Sequence, residues 1–90
     1  MAKRIDSNQT QIVKQLRKIG YSVCILSSVG KGVPDLLVGY RGKNLLIEIK
    51  DGSKPPSQRK LTPDEQNFHN TWNGSVIVAR GLMDIIEWVW

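Results

Sequence analysis

Asp35, Glu48 and Lys50 are the residues of this sequence whose types and spacing could do chemistry. Asp35 closes the segment Gly32-Val33-Pro34-Asp35, and Glu48-Ile49-Lys50 ends an apolar run further along. Pro34 holds Val33 extended, so Asp35 stands at a defined strand end. Two carboxylates that converge without a partner repel each other, and a hard divalent cation relieves the repulsion. Magnesium on carboxylate oxygens polarises a phosphate and lowers the pKa of bound water. A lysine beside it can position the attacking water or offset charge in the transition state. The implied chemistry is metal-assisted phosphodiester hydrolysis. Taken singly, each residue is ordinary strand surface, since a Glu-x-Lys pair alternating with Leu45, Ile47 and Ile49 suits any half-exposed strand. The three acquire that chemistry only if the fold aims them together.

The elements that must do so are legible in the hydrophobic pattern. Ile5, Ile12, Val13, Leu16 and Ile19 recur at helical spacing opposite Lys14, Gln15, Arg17 and Lys18, and Gly20 supplies the stop. Gln9 falls in the middle of that apolar stripe, where a polar side chain must find partners. Tyr21 to Ser27, Asp35 to Tyr40 and Asn44 to Lys50 read as strands, the last two joined by the short turn Arg41-Gly42-Lys43. On the third, Leu46, Glu48 and Lys50 share one face and Leu45, Ile47 and Ile49 the other. A polar loop from Gly52 to Lys60 precedes a second helix, which Thr62 caps with Pro63 in the first position and Glu65 completing a capping box. Leu61, Phe68 and Trp72 form its apolar side. Ser75 to Ala79 predicts a fourth strand and Leu82 to Trp90 a short last helix. The order α-β-β-β-α-β-α predicts one α/β (α+β) domain over residues 1–90, with a mixed central sheet flanked by helices. The first three strands would form an antiparallel meander, and the fourth, reached through a helix, would pair in parallel by a crossover.

Composition narrows the partners. The formal net charge is +5 and the pI about 9.7, a balance that favours a polyanion such as nucleic acid. Lys31, Lys54, Arg59 and Lys60 flank the Asp35–Lys50 pocket and suit phosphate contacts without base readout. One cysteine and one histidine exclude an intramolecular disulfide and leave little for a structural zinc site. Cys24 reads as a buried small hydrophobe. No stretch is apolar enough for a signal peptide or a membrane span, so an intracellular, soluble, cytoplasmic protein is expected.

Gly32-Val33-Pro34-Asp35, Glu48-Ile49-Lys50 and Leu61-Thr62-Pro63-Asp64-Glu65-Gln66, taken together, resemble the virus-type replication-repair nuclease (VRR-NUC) domain of the PD-(D/E)xK nuclease superfamily. The resemblance runs from the first helix to the last. It implies a restriction-endonuclease-like fold and a Mg2+- or Mn2+-dependent endodeoxyribonuclease. Asp35, Glu48 and the Ile49 backbone carbonyl would be metal ligands, Lys50 the catalytic lysine, and Gln66 a catalytic residue steadying Lys50 or a phosphate. A first-helix glutamate common in the family is matched here by the neutral Gln9, with Asp6 at the edge of the same stripe. An amide is a poorer magnesium ligand than a carboxylate, so one firmly held metal is expected. Stand-alone members of this kind look like homodimers that cut branched DNA, including Holliday junctions. Flap or nicking cleavage, and a non-catalytic DNA-binding module, are the alternatives. Trp88 and Trp90 would either form the dimer contact or seal the chain's own core.

Overall fold

The computed structural model describes residues 8–90; Ile5 and Asp6, placed on the first helical stripe above, lie outside them. Helix α1 spans Gln9–Lys18 and buries Gln9, Ile12, Val13 and Leu16, while Arg17 and Lys18 in its last turn complement the negative end of the helix dipole. Four strands follow the expected order: β1 Ser22–Ile25, β2 Leu36–Tyr40, β3 Lys43–Ile49 and β4 Val76–Ala79. They lie β1-β2-β3-β4 in one sheet. The β1–β2 and β2–β3 pairs are antiparallel, and β3–β4 is parallel. The parallel pair follows from a crossover through helix α2, Pro63–Thr71. Helix α3, Leu82–Ile86, closes the chain. The fold is therefore α+β, a mixed four-stranded sheet with helices in the order the pattern predicted.

The core lies between one sheet face and the α1–α3 layer. Leu36 and Val38 of β2, Leu45, Ile47 and Ile49 of β3, Ala79 and Ile85 pack there with the α1 stripe. Burying each such aliphatic side chain stabilises the fold by roughly 1.5–3 kcal/mol. The opposite face is less evenly covered. Leu46 and Glu48 are buried on it, whereas Val78, beside Glu48 in the register, is exposed. Cys24 also faces that side and is exposed, contrary to the buried position expected of it. The reason is topological: β1 is the sheet's edge strand, and Cys24 pairs with Leu37 where no helix covers it.

The C-terminal segment departs from expectation too. The helix stops at Ile86, and Trp90 turns back with its Nε1 donating to the Ile85 carbonyl at 2.9 Å. Its ring meets Tyr21 and Tyr40 edge-on at 5.4 and 5.8 Å, and those tyrosines stack on each other at 4.0 Å. Trp88 and Trp90 thus pack against this chain's own core. Of the two roles open to them, sealing a small core is the one their contacts carry. Among the described residues no helix is long and apolar enough to cross a membrane.

The loop between β1 and β2 is held by backbone conformation. Gly30, Lys31 and Gly32 all have positive φ, at 75°, 56° and 81°. A Cβ on Gly32 would lie 2.5 Å from the Asp64 carbonyl carbon and 2.9 Å from the Glu65 nitrogen. The loop therefore touches the first turn of α2 at a distance only glycine permits. Gly32→Ala is expected to cost about 1–3 kcal/mol for the backbone conformation alone, and to displace α2 besides. Urea denaturation would measure it, and wild-type stability would refute this account of the loop.

Candidate active site

The β2–β3 hairpin brings the acidic pair together. Tyr40 pairs with Lys43 across a two-residue turn, which fixes Leu36 opposite Ile47. One step further, at the open end of the hairpin, Asp35 reaches β3: its Oδ2 accepts the Ile49 N–H at 2.7 Å. Asp35 and Glu48 are 2% and 1% exposed. Carboxylates so deeply buried cost several kcal/mol unless compensated, so their surroundings must supply partners. For Glu48 one is Lys50, with Nζ 4.0 Å from Oε2. Period-two alternation puts Glu48 and Lys50 on one face of β3, as expected.

A polar chain reaches Asp35 from α1. Gln9 Nε2 donates to Ser27 Oγ at 2.9 Å, and Ser27 Oγ donates to Asp35 Oδ1 at a long 3.5 Å. Gln9 is buried, and its Oε1 finds no hydrogen-bond partner among the described residues. Such an orphaned buried oxygen calls for an explanation. Ser27 was not foreseen as a site residue. The pattern extends the first strand to Ser27, whereas β1 ends at Ile25 and Ser27 lies in the turn beyond it, where the packing of α1 on the sheet brings it between Gln9 and Asp35.

Lys50 has a second carboxylate, also unforeseen. Its Nζ donates to Glu65 Oε1 at 3.0 Å. The same oxygen accepts the Thr62 N–H at 2.9 Å, and the Glu65 N–H donates to Thr62 Oγ1 at 3.2 Å. The capping box predicted at Thr62 is thus formed, and it does more than start a helix. A glutamate at this position must bend back toward the helix N-terminus to cap it, and Lys50 lies there. Gln66 is 100° further round the helix. It is exposed, and its Nε2 donates to Asn70 Oδ1 at 2.9 Å. Of the two roles expected of Gln66, steadying Lys50 or a phosphate, the first falls to Glu65. The capping box was the signal that could have found it.

The basic residues fall where the hairpin logic puts them. Lys31 is exposed on the loop entering β2, and Lys60 is exposed on the loop leaving β3. Lys54 and Arg59 on the latter loop are half-buried, and a 3-10 turn at Pro56–Gln58 shapes it. Because β2 and β3 are antiparallel, both loops leave the sheet at the Asp35–Lys50 end.

The donor set suits a hard cation. Asp35, Glu48, the Ile49 carbonyl and the unpartnered Gln9 Oε1 offer only oxygen. Among the described residues no group of three or more His, Cys, Asp or Glu side chains could hold a metal ion. The carboxylate share of such a site would be Asp35 and Glu48 alone, with neutral oxygens making up the rest. In comparisons with protein-family models, with curated proteins and with solved structures, nothing matches the chain.

Proposed function

We propose that this protein is a metal-dependent, structure-selective DNA endonuclease of the VRR-NUC kind, with a restriction-endonuclease-like core. The observation that carries the reading is a buried acidic pair at a hairpin's open end, with Lys50 4.0 Å from Glu48 and an orphaned amide oxygen on α1. Asp35, Glu48, the Ile49 carbonyl and Gln9 would hold Mg2+ or Mn2+. When bound, the cation supplies Lewis-acid polarisation of the phosphate and a nucleophile usable at neutral pH. Lys50 contributes a fixed positive charge for the phosphate oxygens, held in place by Glu65. Lys31, Lys54, Arg59 and Lys60 would grip the backbone beside the scissile bond. Nothing among these contacts reads bases, so the preference is for DNA shape, with the four-way junction as the favoured substrate. Symmetric incision of a junction calls for two sites related by a two-fold axis, hence a homodimer.

The test is a substrate panel. Labelled four-way junction, flap, nicked and linear duplexes are each incubated with protein and Mg2+ or Mn2+. The reading expects metal-dependent incision, fastest on the junction. Faster cutting of the flap or nick would keep the nuclease and replace the substrate.

A non-catalytic DNA-binding module is favoured by one observation. Asp35 is tied to Ile49 and Lys50 to Glu65 within the chain, as a purely structural network would be. Binding to every substrate with no incision under either metal would select it.

A further inference from the structure

The hairpin tip, at the end of the sheet away from Asp35, carries a second cationic surface. Residues 8–34 and 36–47 contain no Asp or Glu, so α1, β1 and the hairpin present lysine and arginine against no acid of their own. Arg41 and Lys43 line a hollow of about 440 Å³ with Gly20, Ser22, Gly42 and Asn44. Lys18 stands two residues before Gly20 on the exposed end of α1. None of these cations has an ion-pair partner among the described residues. Glu87, the exposed acid on the segment that returns to this end, pairs with none of them.

Arg41 is held in an unusual way. Its φ is 53° and that of Gly42 is 77°. Tight hairpins with two positive φ values strongly prefer asparagine, aspartate or glycine at the first position. An arginine there is uncommon, and an observed outlier of this sort points toward function. The guanidinium lies over the Tyr40 ring, 5.2 Å from its centroid, and Tyr40 is itself braced by Tyr21 and Trp90. The charge is therefore presented from a packed aromatic base, not from a free loop.

We propose that Arg41 and Lys43, with Lys18 beside them, form a second contact to the phosphate backbone of the nucleic acid held at the Asp35–Lys50 end. This rests on the DNA-binding part of the reading above. Asp35 and Arg41 are six residues apart along an extended strand, roughly 20 Å at about 3.4 Å each. That matches about six base-pair steps of duplex lying along the strands. An anionic membrane surface would meet the same charges, but it gives no reason for the two cationic ends to be a duplex segment apart.

The experiment measures duplex affinity against salt in chelator, so that no cleavage intervenes. Wild type is compared with Arg41→Asn/Lys43→Gln, in which asparagine suits the positive φ. Each lost phosphate contact is expected to flatten the slope of log K against log salt by about 0.9, hence about 1.8 for the pair. Lys43→Gln alone, on an exposed strand end, should lose about half of that. Arg80→Gln, which removes a charge already paired with Asp84, should leave the slope unchanged. An unchanged slope in both hairpin variants would overturn the second contact while leaving the catalytic site standing. Failure of wild type to bind either duplex or a four-way junction would overturn both. Loss confined to phosphatidylserine vesicles, with duplex binding intact, would assign the surface to a membrane and overturn the proposal.

Discussion

Asp35→Asn is expected to abolish metal-dependent cleavage, by about 10³-fold or more, while the protein stays folded and still binds DNA. The substitution keeps the shape of the side chain. An asparagine oxygen can still accept the Ile49 N–H that Asp35 Oδ2 accepts at 2.7 Å. Its amide would then face Ser27 Oγ, which can reverse its role and accept. What disappears is one of the two charges available to a cation. Loss of that cation forfeits several kcal/mol of transition-state stabilisation, and about 4 kcal/mol is already a thousandfold in rate. Affinity for DNA in chelator should be unchanged or higher, because a negative charge has left the neighbourhood of the phosphates. Single-turnover cleavage and filter binding check the two halves. Cleavage at the wild-type rate would remove Asp35 from the mechanism.

Lys50→Ala carries the second large effect. Removing a preorganised positive donor from a transition state typically costs about 10²–10³-fold in kcat, and KM should move little because the surface cations would also hold the phosphate. The variant also removes the ammonium group from beside Glu48 and Glu65, both buried, and breaking a buried pair can cost about 3–5 kcal/mol. Its stability must therefore be measured alongside its rate. Glu65→Gln separates positioning from folding. Glutamine can serve in a capping box as glutamate does, so the helix start should survive, while the charge that holds Lys50 Nζ at 3.0 Å is gone. A kcat loss of about tenfold is expected, the worth of one hydrogen bond to a charged group. Unaltered kcat in a folded Glu65→Gln protein would reduce Glu65 to a capping residue.

The parts of this site that local pattern encodes are legible in the sequence. The pattern gives the turn as Arg41-Gly42-Lys43; the structure shortens it to Arg41-Gly42, with Lys43 pairing Tyr40, and this is the register that keeps Leu45, Ile47 and Ile49 on the core face. That register alone places Asp35 near Glu48. Thr62 and Glu65 announced a helix start through the capping pattern. What pattern does not carry is which surfaces meet. The bond between Gln9 and Ser27 depends on how α1 lies over the sheet, and the strand pattern that runs to Ser27 does not show the turn that takes it off β1 after Ile25. Cys24 is exposed because β1 takes the sheet edge, a property of strand order. Trp90 packs on Tyr21 and Tyr40 because the chain leaves the helix at Ile86 and folds back. The resemblance points to Gln66 for steadying Lys50 or a phosphate, whereas helical phase and the capping geometry bring Glu65 to Lys50.

The proposed metal-dependent phosphodiesterase site requires Asp35, Glu48 and Lys50 to act together. Its most direct test is single-turnover incubation of an end-labelled four-way junction with excess wild-type protein, in Mg2+ and in chelator. Discrete cleavage products with Mg2+ and none in chelator are expected. A junction that is bound yet stays intact under both Mg2+ and Mn2+ would contradict the claim.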